Sequence, residues 1–136
     1  MAELVITAAQ LLPTANAPAS KIVSGEAIAI GDVIARDDNG KGVKADANGA
    51  APLNAPIGIA VCSSAAAGQS ILYVSSDSNF KIGATVVNGT PYYLTATPGK
   101  IGEFSDLAAG MSVCQVGYGK GTDHMVLHFF NTGQTL

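Results

Sequence analysis

Apolar residues in this chain fall into short runs, each a few residues long, separated by Gly, Asn, Asp and Pro. From Lys21 onward the runs read AIAI, DVIA, GVKA, IGIAVC, SILYVS, ATVV, PYYLTA, MSVCQVGY and HMVLHFF. They alternate or are rich in β-branched and aromatic residues, and apolar positions at helical spacing are nearly absent. This pattern predicts an all-β domain, a jelly-roll-like β-barrel or a sandwich of short antiparallel strands. Asn39-Gly40 and Asn88-Gly89 predict tight turns, because Asn and Gly tolerate positive φ. Pro98-Gly99 predicts a turn for another reason: Pro fixes φ at the first central position and Gly allows positive φ at the second.

The first twenty residues read differently. Glu3–Leu12 is the best helical candidate, yet its Val5, Ile6 and Thr7 equally favour a strand. Pro13 ends it, and TANAPAS reads as an extended linker. The expected organisation is an N-terminal arm over 1–20, a β domain over 21–131 and a C-terminal tail over 132–136. Leu4, Val5, Ile6, Leu11 and Leu12 make the arm apolar. Such an arm either adds a strand to a neighbouring subunit or folds back as an edge strand of its own domain.

An internal repeat runs through the β region. Gly25 and Gly31 recur as Gly83 and Gly89, at an offset of 58 in both cases (83 − 25 and 89 − 31). After the first pair come the strand DVIA, the turn DDNGK and the strand GVKADA. After the second come TPYYLTA, the turn TPGK and IGEF. Later, PIGIAVC ahead of SILYVS matches QVGYGKG ahead of MVLHFF. Two halves with one strand grammar predict approximate structural pseudo-symmetry.

Composition narrows the function classes. A chain of 136 residues suits one domain. Only 12% of residues are charged, against roughly 25% in a typical soluble domain, so Ala, Gly, Ser, Thr and Asn must form much of the surface. A surface of this kind suits a protein partly covered in an assembly. The seven Lys and Arg are scattered singly and the net charge is -3, which argues against nucleic-acid binding. No apolar run approaches the roughly 20 residues that would span a bilayer, which argues against a membrane partner. Glu3 stands where a secretory signal would be basic, and no cleavage site follows. Cys62 and Cys114 lie far apart in apolar runs and read as small buried residues.

Candidate chemistry is sparse. Gly99-Lys100 has the outline of the end of a phosphate loop, but Leu94 replaces its first Gly, Ile101 its Ser or Thr, and no helix follows. Tyr92 and Tyr93, as strand neighbours, point to opposite faces, one to the core and one to solvent or a partner. His124 and His128 on a strand would share a face yet sit about 13 Å apart, too far for one metal. Asp37-Asp38-Asn39-Gly40 lacks the spacing and closing Glu of a calcium loop. Ser63-Ser64 and Ser75-Ser76 have no local base, no nucleophile elbow occurs, and the carboxylates are mostly single. The expectation is a non-enzymatic protein with no metal and no cofactor. Leu4, Val5, Ile6, Leu11, Leu12, Tyr92, Tyr93, Phe129 and Phe130 are the candidate interface residues.

The ordered series of segments resembles the small head decoration, or cement, proteins of tailed bacteriophages. The matching stretches are Gly25-Glu26-Ala27-Ile28, Gly31-Asp32-Val33, Val43-Lys44-Ala45-Asp46, Ile57-Gly58-Ile59-Ala60 and Ala66-Ala67-Gly68-Gln69. Gly89-Thr90-Pro91-Tyr92-Tyr93-Leu94, Thr97-Pro98-Gly99-Lys100-Ile101, Asp106-Leu107 and Val116-Gly117-Tyr118 continue them. The resemblance implies a β domain on the outer surface of an icosahedral capsid, reinforcing it against packaged DNA. It also implies two partners, the major capsid protein and further copies of the chain as a homodimer or homotrimer. The subunit would be made in the host cytoplasm and end in the virion. The same grammar occurs in phage fibres, which leaves a second reading: a fibre or adhesin module recognising a host glycan through an exposed tyrosine, with Tyr73, Tyr92, Tyr93 and Tyr118 as candidates.

Overall fold

The β-branched and aromatic runs form ten strands in the structure, a computed structural model that describes residues 3–15 and 17–136. The first five are β1 (Ala19–Val23), β2 (Val33–Arg36), β3 (Gly42–Lys44), β4 (Pro56–Ala60) and β5 (Ser70–Val74). The second five are β6 (Ser76–Lys81), β7 (Pro91–Leu94), β8 (Ile101–Gly102), β9 (Ser112–Lys120) and β10 (His124–Thr135). Single 3-10 turns occupy Ala8–Gln10 and Phe104–Asp106. Each half of the chain builds one five-stranded antiparallel sheet. The orders are β1-β5-β4-β2-β3 and β6-β10-β9-β7-β8, the same order with each strand advanced by five. Neither sheet closes into a barrel, and the pair is consistent with a sandwich.

The repeat extends to the register. In the first half Val33 pairs with Ile59 and Ile34 with Gly58; in the second Pro91 pairs with Tyr118 and Tyr92 with Gly117. A bulge follows at the same step in both halves, because Ala35 pairs with Pro56 and Tyr93 with Gln115. Glycine is required beside the bulge, on the strand that carries the extra residue. A Cβ on Gly58 would lie 2.7 Å from the Val74 carbonyl oxygen, and one on Gly117 would lie 2.2 Å from that of Val126. The connecting loops repeat too. Ile28 N–H donates to Ser64 O at 3.0 Å and Val86 N–H to Thr122 O at 2.8 Å, each residue 58 beyond its counterpart (86 − 28 and 122 − 64).

Turn chemistry is as expected where glycine carries it: Gly40, Gly89 and Gly99 have φ of +78°, +79° and +79°. The asparagines beside two of them keep negative φ, so Gly alone meets the positive-φ demand. Asn88 serves by its side chain, whose Oδ1 accepts the Gly121 N–H at 2.9 Å. At the other Asn-Gly turn, Asp37 Oδ1 accepts the N–H groups of Asn39 and Lys41, both at 2.9 Å.

Two apolar clusters hold the fold. The larger joins Val33, Ala35, Ile59 and Val74 of the first sheet to Phe80, Tyr92, Leu94, Cys114, Val116, Met125 and Leu127 of the second. The smaller, Ile22, Ile28, Ile34, Ala60, Ile71 and Tyr73, belongs to the first half alone. The sequence-expected Pro98-Gly99 turn interlocks the halves: Val33 N–H donates to Gly99 O at 3.0 Å and Gly99 N–H to Ala45 O at 2.8 Å. Lys100 Nζ approaches the buried Asp32 carboxylate at 3.8 Å.

Several expectations need correction. AIAI and ATVV are loop, not strand; they insert Ile28 and Val86 into the two clusters from Gly-bounded connections. β6, SDSNFK, has no apolar run to announce it, since it buries only Asp77 and Phe80. Residues 132–135, expected as a tail, continue the last strand, and β1 begins at Ala19, inside the expected arm. The described part of the arm lies along its own domain. Leu12 and Lys81 exchange backbone bonds at 2.9 and 3.0 Å, Thr7 N–H donates to Gly83 O at 2.8 Å, and Leu4 N–H donates to Ile101 O at 2.8 Å. Asp77 grips Thr14 at both its N–H (2.8 Å) and its hydroxyl (2.9 Å), and the Thr95 hydroxyl bonds the Glu3 carboxylate. Met1, Ala2 and Asn16 lie outside the described residues.

Candidate interaction surfaces

Backbone pairing of the arm decides which of its side chains are free. Leu11 is buried in the larger cluster, and Leu4 and Ile6 are half-buried against it. The two remaining arm residues point away: Val5 is 84% exposed and Leu12 64%. Alternation along β7 divides the tyrosines as expected. Tyr92 enters the core, where its hydroxyl accepts the Val87 N–H at 2.9 Å. Tyr93 turns outward and is half-buried by Phe104, ring edge to face at 5.6 Å. On β10, Phe129 is half-buried against the larger cluster and Phe130 is exposed.

Of the nine candidate interface residues, Leu11 and Tyr92 are therefore core residues and offer a partner no side-chain surface. Val5, Leu12 and Phe130 are open, and Tyr93 is partly open. The sequence reading missed Phe104, which stands on a 3-10 turn outside any apolar run. It named Tyr118 only as a glycan candidate. Register unites these residues: Tyr118 faces Pro91 on one side and Val126 on the other, and Gln115 faces both Tyr93 and Phe130. The outer face of the second sheet thus carries an aromatic patch that local sequence could not assemble.

The candidate chemical groups remain dispersed. His124 Nδ1 lies 2.7 Å from Asp123 Oδ1 at the start of β10, and among the described residues the pair bonds no hydroxyl or thiol. Asp123 lines an open depression of about 410 Å³ with Val5, Thr7, Gln10, Lys81 and Thr85. His128 is exposed on the same strand. Among the described residues no group of three His, Cys, Asp or Glu side chains is placed to hold a metal. Cys114 is fully buried, donates to Asn54 O at 3.1 Å, and has its thiol pKa pushed up by desolvation. Cys62 is only half-buried, contrary to expectation, because it sits at the edge of the smaller cluster. Both thiols are free. Among the described residues no helix is long and apolar enough to cross a membrane. The sequence matches no protein-family model, and comparison with curated proteins gives no match.

Proposed function

We propose that this chain is a non-enzymatic structural subunit of a phage virion, a decoration or cement protein on the outer surface of an icosahedral head. It would bind the major capsid protein and stiffen the shell against the pressure of packaged DNA. The observation that carries this reading is the exposure of apolar side chains at opposite edges of one sheet. Leu12 lies beside β6, and Phe104 lies past β8. A protein that reinforces a shell must hold more than one neighbour, and two separated apolar contact points on a weakly charged surface provide for that. The resemblance of the ordered segments to head decoration proteins supports the same reading. With 12% charged residues, the contacts are apolar and backbone-mediated and depend weakly on salt.

The test is on particles of the phage or prophage whose genome encodes the chain. Purified heads are expected to contain the protein in stoichiometric amount, and heads assembled without it to release DNA at lower temperature. Heads that lack the protein yet resist heat as well as complete ones overturn the reading. Exposure of Tyr118 at 45% favours the fibre-module alternative. Under that alternative the protein is found in the tail fibres, and Tyr118→Ala lowers adsorption to host cells.

A further inference from the structure

The two halves differ at one sheet edge. β1 has a strand neighbour only in β5, and it meets β3 only past its end, where Ser24 bridges Gly42. The corresponding edge of the second half is occupied. Lys81, 58 residues after Val23 (81 − 23), exchanges backbone bonds of 2.9 and 3.0 Å with Leu12 of the arm. Beside β1 the matching place is an open depression of about 370 Å³, whose lining includes Lys21, Val23, Arg36, Gly40 and Lys41. The fold thus gathers three cations that are scattered in sequence, and among the described residues no carboxylate lines the same depression. All three are exposed, and among the described residues none makes an ion pair; those formed are Lys100 with Asp32 and His124 with Asp123. Asp37 follows Arg36 directly, yet it lines a separate depression with Glu26, Lys44 and Asp46. Asp38 is exposed in the turn and lines neither.

The occupied half lacks this free charge. Lys21 corresponds to Asn79 and Arg36 to the buried Leu94, each 58 residues on (79 − 21 and 94 − 36). The Gly-Lys of the turn recurs one residue later (100 − 41 = 59), and that Lys100 is turned to Asp32 at 3.8 Å. The strand framework therefore does without three free cations, and they accompany the edge that is open. We propose that the β1 edge takes an extended, acidic segment of a partner protein, added as a strand with its carboxylates on Lys21, Arg36 and Lys41. The arm on β6 is the precedent within the molecule for an extended chain at this position. Strand addition supplies main-chain hydrogen bonds, and side chains supply the selection. Three like charges repel the same edge of a second copy, as lysines on sheet edges ordinarily do. The same charges attract a segment that carries carboxylates. The inference concerns the isolated protein and does not rest on the decoration reading.

The probe is an end-blocked octapeptide of alternating Glu and Thr, titrated at low salt into the isotopically labelled full chain and followed by nuclear magnetic resonance. Saturable shifts are expected at Lys21, Val23, Arg36 and Lys41, with slowed amide exchange along β1. The double variant Lys21→Gln, Arg36→Gln is expected to weaken binding about threefold or more, and raised salt to weaken it as well. Lys120→Gln, on β9 of the other half, is the control and is expected to bind as the wild type does. If Arg36→Gln fails to fold by circular dichroism, Lys41→Gln, in the turn, takes its place. Absence of saturable binding at millimolar peptide overturns the proposal, and so does unchanged affinity in the double variant. Equal binding of the matched Gln-Thr peptide overturns it by removing the role of charge. Equal binding of an oligothymidylate of the same charge overturns it in favour of a general anion patch. Equal binding of a peptide of residues 3–12 overturns it in favour of a second copy's arm.

Discussion

Leu11 and Leu12 are adjacent on the arm, and the structure gives them opposite fates. Leu11 is 9% exposed within the larger cluster, whereas Leu12 is 64% exposed, although its backbone pairs with Lys81. Leu11→Ala removes three buried carbon atoms, worth about 2.4 kcal/mol at roughly 0.8 kcal/mol per buried carbon. Incomplete collapse of the cavity adds to this, and buried Leu→Ala substitutions span about 2–5 kcal/mol. The site borders solvent and can partly relax, so the expected loss is about 2.5–3.5 kcal/mol. For a domain of this size that lowers Tm by about 8–14 °C. Leu12→Ala keeps the backbone ladder and should cost within about 0.5 kcal/mol. Equilibrium urea unfolding followed by far-ultraviolet circular dichroism and tyrosine fluorescence measures both, the chain having no Trp. Equal costs for the two variants, or a cost for Leu11→Ala below about 1 kcal/mol, would refute the integral arm. An arm exchanged between subunits would instead make the Leu11→Ala loss depend on protein concentration.

Three further outcomes follow from the same geometry. Gly117→Ala, whose Cβ would meet the Val126 carbonyl at 2.2 Å, should destabilise well beyond Gly121→Ala, which meets no atom within 4 Å and bears only the strain of φ +70°; paired thermal melts compare them, and equal losses would contradict the close approach. Tyr92→Phe should cost about 1–2 kcal/mol in urea unfolding, because Val87 N–H loses its acceptor. Cys62 should react with a thiol reagent well before Cys114, as counted by mass spectrometry of the native protein. Burial raises the Cys114 pKa, so its protonated form belongs to the folded state. That contribution to stability is complete below the ordinary thiol range and is lost as pH rises through the raised value.

Turn residues made the hairpins legible, because Pro98-Gly99 and Asn39-Gly40 fix backbone geometry locally. The repeat was legible for the same reason: its glycines stand at bulges, turns and close backbone contacts, where a side chain is excluded. β6 was not, because SDSNFK buries a carboxylate and one phenylalanine instead of an apolar run. Ile28 and Val86 misled in the other direction. Each looks like part of a strand and is a loop residue whose side chain fills a core, and only the register of distant partners Ser64 and Thr122 distinguishes the two cases. The aromatic patch is illegible on the same grounds, since Tyr93, Tyr118 and Phe130 share a face only through pairing of β7, β9 and β10. Alternation did locate Tyr92 and Tyr93 on opposite faces, but it could not say which face the fold would cover.

The arm finds its explanation in the difference between the halves. In the first half the end of β1 ties directly to β3: Ser24 bridges Gly42 and Gly25 N–H donates to Gly42 O at 2.8 Å. In the second half the corresponding edge groups bind the arm instead, Gly83 O through Thr7 and Ile101 O through Leu4. The side chains inside differ in step. Ile22 and Ile34 of the first half stand where the second has Phe80 and Tyr92, each 58 residues on (80 − 22 and 92 − 34). The arm supplies backbone for the edge hydrogen bonds of this half and Leu4, Ile6 and Leu11 for its core. The end of β1 thus meets β3 directly in the first half, while in the second the matching edges are joined to residues that precede the repeat. Leu4, Ile6 and Leu11 therefore pack in the same cluster as Phe80 and Tyr92, whereas Val5 and Leu12 stay exposed.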